Sequence, residues 1–139
     1  SLHRGLAGRI ITRFEEKGLQ LVGLKLMQMT QELASKHYAE HTERPFYPGL
    51  VKFMTASPLV AIALRGPGAV AVARKLMGAT FGTDADAGTI RGDFGCSKSY
   101  NLIHGSDSPE SAERELALFF PEGVCDWSPI SADWLWDNE

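Results

Sequence analysis

The chain predicts one domain of mixed helix and strand, and three observations carry that reading. Stretches with helical spacing of apolar residues alternate with short apolar runs of strand length. The 139 residues are 44% hydrophobic, enough for one substantial core and too few for a second domain. The first two strand-like runs are joined by two helices, so a small α+β sandwich and a doubly wound sheet both fit the order of elements.

Residues 5–17 place Leu6, Ile10, Ile11 and Phe14 on one helical face and Arg9, Arg13, Glu15 and Glu16 on the other, with Gly18 as the stop. Residues 19–29 are rich in Leu and Val without helix caps, which suits a strand buried on at least one side. Thr30 then caps a short helix to about residue 40, containing Leu33, His37 and Tyr38. The run Arg44-Pro45-Phe46-Tyr47-Pro48 is a stiff connector, and Pro48 opens a helix reaching Met54. Residues 59–64 form a compact strand and 69–76 a helix ended by Gly78. Residues 79–94 have the Gly, Thr and Asp content of a long loop, 102–103 make a last short strand, and 109–119 a last helix. From Pro121 the tail reads as irregular, with Trp127, Trp134 and Trp136.

Fourteen basic against seventeen acidic side chains give a formal charge of −3, so there is no broad cationic field for a nucleic-acid backbone. Cys96 and Cys125 are too few and too isolated for a disulfide framework or a Cys-x-x-Cys site, which points to a reducing, cytoplasmic setting. No apolar run approaches the roughly 18 residues of a membrane span.

The most informative stretch runs Asn101-Leu102-Ile103-His104-Gly105-Ser106-Asp107-Ser108-Pro109-Glu110. Ser108 is a good N-cap, Pro109 suits the first helical position, and Glu110 and Glu113 favour the positive end of the helix dipole. An imidazole, an anion-friendly helix start and an acidic Asp107 are thereby brought close together. Arg74, Thr80 and Arg91 bracket the long loop, and two guanidiniums with a hydroxyl can clamp a di- or triphosphate. Each of these has a plainer reading: His104 as a satisfied strand-edge histidine, Asp107 as an extra cap, Arg74 and Arg91 as solvated surface charges. A further run, Gly66-Pro67-Gly68-Ala69-Val70-Ala71, has the spacing of a dinucleotide fingerprint, with Asp84 and Asp86 near the ribose-binding distance. Pro67 removes an N–H at the turn that would face phosphate and no second βαβ unit follows, so these glycines read as a strand-to-helix turn. A nicotinamide oxidoreductase is the reading this sets aside.

Taken together, Asn101-x-x-His104-Gly105-Ser106-Asp107-Ser108, His3-Arg4-Gly5-Leu6, Leu21-Val22-Gly23-Leu24-Lys25, His37-Tyr38, Arg44-Pro45-Phe46-Tyr47, Gly88-Thr89-Ile90-Arg91-Gly92-Asp93-Phe94 and Glu110-Ser111-Ala112-Glu113-Arg114-Glu115 resemble the nucleoside diphosphate kinase family in register over nearly the whole chain. The resemblance implies a ferredoxin-like antiparallel sheet with helices packed on it. It also implies a ping-pong transfer in which His104 takes the γ-phosphate of a nucleoside triphosphate and passes it to a nucleoside diphosphate. Glu115 matches the family's acid that orients the histidine, with Ser106 between them and Tyr38 as a hydroxyl on the phosphate side. Arg74, Thr80, Arg91 and Asn101 match ligands of phosphate and ribose, and Phe46 the aromatic on which any base can stack. Mg²⁺ is expected on the β- and γ-phosphates with Asp107 near it through water. ATP, GTP and other nucleotides are the expected substrates, and a homo-hexamer, with a tetramer as the other form, the expected assembly.

The chain departs from the family pattern in three places. A strand and a Lys-Pro-Asp-Gly stretch that precede Ser1-Leu2-His3-Arg4 in the family are not in this sequence, so residues 1–139 are expected to be a single domain that is N-terminally incomplete, with unpaired strand edges and an open core. The same departure favours a catalytically silent nucleotide-binding or assembly module as the rival to the enzyme. Gly82 stands where the family usually has proline in a loop that packs between subunits, which predicts a looser oligomer, and Lys98 replaces an apolar residue near the base.

Overall fold

The computed structural model describes residues 1–39, 43–98 and 100–137. A 3₁₀ turn at Leu2–Arg4 leads into α1 (Ala7–Glu16), β1 (Gln20–Met27), α2 (Gln31–His37), α3 (Tyr47–Thr55), β2 (Leu59–Arg65), α4 (Ala69–Met77), α5 (Ile90–Phe94), α6 (Pro109–Phe119) and α7 (Ala132–Leu135). Among the described residues β1 and β2 form a two-stranded antiparallel sheet, paired from Gln20 opposite Arg65 to Met27 opposite Leu59. The antiparallel pairing decides for the α+β sandwich over the doubly wound sheet.

Local chemistry sets the element ends. Gly18 takes φ 90° after α1, a conformation open to glycine without the penalty a Cβ brings, and Leu19 N–H returns to Phe14 O at 3.1 Å. Thr30, Thr89 and Ser108 each accept a hydrogen bond from a backbone N–H in the first turn of α2, α5 and α6. The β1 register shifts between Leu21 and Gly23, and a Cβ on Gly23 would stand 2.9 Å from the Phe120 ring. That small residue lets the end of α6 lie directly on the sheet.

The apolar face of α1 is buried as its spacing predicts. Leu6, Ile10 and Phe14 pack with Leu19, Met77 and Ile90 between the sheet, α4 and α5. Met29, Ala34, Tyr38 and Val51 form a second cluster under α2 and α3, against Phe119 of α6. A largely apolar cavity of about 320 Å³ follows β2 from Leu59 to Leu64, bounded by Ile10, Phe14 and Met77, and reaches His104. Among the described residues β1 and β2 pair only with each other.

Four sequence expectations are corrected. Residues 102–103 are not a strand: Leu102 has φ 70°, Ile103 N–H turns back to Asn101 O at 2.8 Å, and the carbonyls of Asn101 and Ile103 are taken by the Arg91 guanidinium. The 79–94 loop contains α5, whose start is fixed by Thr89 accepting from Gly92 N–H at 3.0 Å and whose Ile90 is fully buried. The tail contains the short α7. The helix capped by Thr30 ends at His37, and residue 40 lies outside the described residues. The glycine run at 66–68 is a turn into α4, with Ala69 N–H donating to Gly66 O at 3.2 Å.

Candidate active site

His104 sits in the short loop before α6, and the sequence around it explains why. A Cβ at residue 105 would stand 2.6 Å from Met77 Sδ, so glycine lets the loop lie close against the Met77 side chain of α4. Arg74 donates to Gly105 O at 3.3 Å and holds the loop from α4. On the other side Ser108 Oγ accepts from Ser111 N–H at 3.1 Å, so the chain leaves the loop directly into a capped helix. Leu102 is a non-glycine residue in the left-handed region, a conformation that costs about 1–3 kcal/mol and clusters at functional sites.

One turn and a half into α6, Glu115 points back at the loop. Its Oε2 lies 3.6 Å from His104 Nε2 and accepts from Ser106 Oγ at 3.3 Å. The Glu115 side chain is 14% exposed while that of His104 is 54% exposed, so the carboxylate backs an imidazole that faces solvent. Burial alone would raise the Glu115 carboxyl. The adjacent His104 ring, the charge of His37 and the Ser106 hydroxyl outweigh it and hold the group below its ordinary value.

In front of the imidazole lies a polar cleft of about 270 Å³, lined by Tyr38, Arg74, Thr80, Arg91, Asn101 and Asp107 together with His104 and Glu115. The fold thus gathers nearly every residue singled out from the sequence into one place. Tyr38 is buried, and burial reinforced by the Glu115 charge pushes its hydroxyl up to about 12, so it remains a proton donor. Asp107 is exposed on the rim and is held below its ordinary pKa first by the Ser111 hydroxyl and further by the Arg74 charge. Arg91 is buried, and it donates to Gly78 O at 3.1 Å, Asn101 O at 3.3 Å and Ile103 O at 2.6 Å. It therefore serves the scaffold as well as the cleft.

Phe46 does not line this cleft. It stands at the start of α3, 51% exposed, with the Arg44 guanidinium 6.0 Å from its ring centre.

Sequence reasoning missed two members of the site. Arg114 lines the cleft beside Glu115, with Nη2 4.0 Å from Glu115 Oε1; its signal was its place next to the carboxylate on the same helix. His37, at the last turn of α2, is buried with its ring 5.1 Å from that of His104 at 86° and 5.1 Å from Phe119 at 83°. Adjacency to Tyr38 was the available signal.

A solvent-facing imidazole with a carboxylate behind it and guanidiniums around a cleft in front is the equipment of a phosphotransferase that works through histidine. The comparisons agree in detail. A family model described as nucleoside diphosphate kinase matches residues 1–124. A nucleoside diphosphate kinase of Synechococcus sp. (strain JA-3-3Ab) is 56% identical over 98% of this chain and 92% of its own length. That of Thermus thermophilus is 59% identical over 86% of this chain and 87% of its own. The structure of a halophilic nucleoside diphosphate kinase from Halobacterium salinarum in complex with CDP superposes with a TM-score of 0.94 at 47% identity, covering 98% of this chain and 91% of that one. The chain belongs to the nucleoside diphosphate kinase family.

Proposed function

We propose that residues 1–139 act as one nucleoside diphosphate kinase domain, passing the γ-phosphoryl group of a nucleoside triphosphate to a nucleoside diphosphate through His104. The observation that carries this reading is the Glu115 carboxylate 3.6 Å from His104 Nε2. With its proton on Nε2, directed at Glu115, the ring keeps its lone pair on Nδ1. Nδ1 attacks the γ-phosphorus, the bond from that phosphorus to the β-γ bridging oxygen breaks, and the nucleoside diphosphate leaves with the electron pair. Glu115 balances the positive charge that builds on the ring. The second half reverses the first: a terminal phosphate oxygen of an incoming nucleoside diphosphate takes the PO₃ unit and Nδ1 recovers its lone pair.

Transfer of this kind depends on placement and on neutralising spread charge. Arg74, Arg91 and Arg114 supply cations around the cleft, the protonated Tyr38 hydroxyl donates to phosphate oxygen, and Thr80 and Asn101 offer neutral donors. Ser106 fixes Glu115. The half-exposed Phe46 ring matches the aromatic on which a base stacks, and stacking tolerates every base. Mg²⁺ suits the rim: Asp107 is a single exposed carboxylate held ionised by its neighbours, matching a hard cation bound mostly by substrate phosphates and water. When bound, that ion shields the charge on the β- and γ-phosphates.

The same reading takes ATP, GTP and other nucleotides as substrates, a homo-hexamer or tetramer as the assembly, and the cytoplasm as the setting, where the two exposed, unpaired cysteines stay reduced. No helix among the described residues is long and apolar enough to cross a membrane. Incubation with γ-labelled ATP tests the central step. Acid-labile label on the protein, absent in His104→Ala and chased by dTDP, supports it; nucleotide binding without label identifies a silent module instead.

A further inference from the structure

The transfer chemistry leaves His37 without a task. Its residue is 7% exposed, its ring is enclosed by Tyr38, Phe119 and His104, and its Nδ1 is buried without a hydrogen-bond partner. Buried polar atoms are nearly always satisfied, so an orphaned ring nitrogen beside a cleft signals a ligand. The groups around it supply the rest. One ring nitrogen of His37, one of His104 and a carboxylate oxygen of Glu115 all lie within 4.8 Å of one another.

We propose that His37, His104 and Glu115 form a binding site for a borderline divalent d-block cation, typified by Zn²⁺, whose occupancy shuts off phosphoryl transfer. Two imidazoles and one carboxylate with an open fourth position are the donor set of three-ligand zinc sites. Bonds of 2.0–2.2 Å put tetrahedral ligands about 3.3 Å apart. The pair His104 Nε2 and Glu115 Oε2, at 3.6 Å, is already near that spacing. His104 is more than half exposed, so its ring is free to turn toward His37. All three residues line the polar cleft, from which water or a phosphate oxygen would complete the shell.

The site discriminates between cations by donor chemistry. Mg²⁺ takes oxygen ligands and holds its waters, so it stays with the polyphosphate and Asp107, whereas nitrogen donors select zinc and its neighbours. Shut-off follows from imidazole itself. Once Nε2 of His104 binds the metal, the neutral ring carries its proton on Nδ1 and has no lone pair for phosphorus. The proposal rests on His104 being the nucleophile only for this inhibitory consequence; the binding site stands without it.

The test uses the full chain, stripped with EDTA and carrying Cys96→Ser and Cys125→Ser so that exposed thiols do not take the metal. Zn²⁺ is titrated by calorimetry in the absence of nucleotide. One saturable equivalent per chain is expected, weakened about 10- to 100-fold by His37→Gln and by Glu115→Gln, the loss typical of degraded metal shells. His104→Ala, at a half-exposed position where folding is not at stake, removes the same equivalent. Zn²⁺ then blocks labelling by γ-labelled ATP, and EDTA restores it. No saturable binding, or equal binding in all three variants, overturns the site. Binding that depends on the three residues in a protein that takes no label sustains the site and refutes the phosphohistidine reading instead.

Discussion

Glu115 Oε2 is shared: it accepts from Ser106 Oγ at 3.3 Å and lies 3.6 Å from His104 Nε2. In the proposed mechanism the hydroxyl aims the carboxylate, and the carboxylate selects the tautomer. Glu115→Gln keeps the shape and loses the charge that stabilises the ring as it becomes cationic. It is expected to slow single-turnover labelling from γ-labelled ATP by about 10- to 100-fold, with a smaller loss for Ser106→Ala. Unchanged labelling in Glu115→Gln rules out the assigned role.

Arg91 ties three backbone carbonyls from two segments of the chain while lining the cleft. Removing it leaves three part-buried acceptors without a donor, so Arg91→Ala is expected to lose about 2–4 kcal/mol in urea unfolding. Arg74→Ala, whose exposed side chain makes one 3.3 Å bond to Gly105 O, should lose under about 1 kcal/mol while still impairing transfer. Equal stability losses in the two variants would contradict a scaffold role specific to Arg91.

His37 gives the fold a direction of acid sensitivity. Burial first, and then the charge of His104, lowers its pKa from 6.5 to about 4, so in acid the unfolded chain takes up a proton that the folded chain refuses. The associated stability is complete above about pH 6.5 and drains away as pH falls toward 4, by on the order of 2 kcal/mol. Urea midpoints at pH 7.5 and 5.0, with EDTA present, should drop more steeply in the native sequence than in His37→Gln. Parallel slopes would count against it.

Gly82 lies against backbone that leaves no room for a side chain. A Cβ there would stand 2.7 Å from Gly95 Cα, and a Cβ on Gly92 would collide with Asp86 O. Both glycines permit backbone to meet backbone around α5. Alanine at either position is expected to cost about 1–3 kcal/mol by forcing those segments apart. Thermal melts of the single variants check this, and wild-type stability in Gly92→Ala would show that the segment yields freely.

Much of this was legible beforehand because local chemistry decides it. Thr30 and Ser108 announce their helices, Pro109 fixes the first turn of α6, and the spacing of Leu6, Ile10 and Phe14 gives the buried face of α1. The residues of the cleft were legible through resemblance, since no periodicity brings Tyr38, Arg74 and Asn101 together. What escaped depends on distant partners. Leu102 and Ile103 have strand propensity, yet their neighbouring carbonyls bond to a guanidinium rather than to a strand. The five-residue α5 is too short for a pattern to show, and its fully buried Ile90 identifies it only after folding. His37 looks like any residue in a short amphipathic helix until Phe119 and His104 close over it.

The guanidinium of Arg91 is both tie-beam and wall. On the proposed reading, a polyanion that also bonds Arg91 would be held by the same group that joins the post-α4 corner to the strip ahead of His104, so filling the cleft and stiffening its frame would become a single event. Nucleotide should therefore raise the melting temperature and slow proteolytic nicking between residues 79 and 94, a signature readable on intact protein before any turnover is measured.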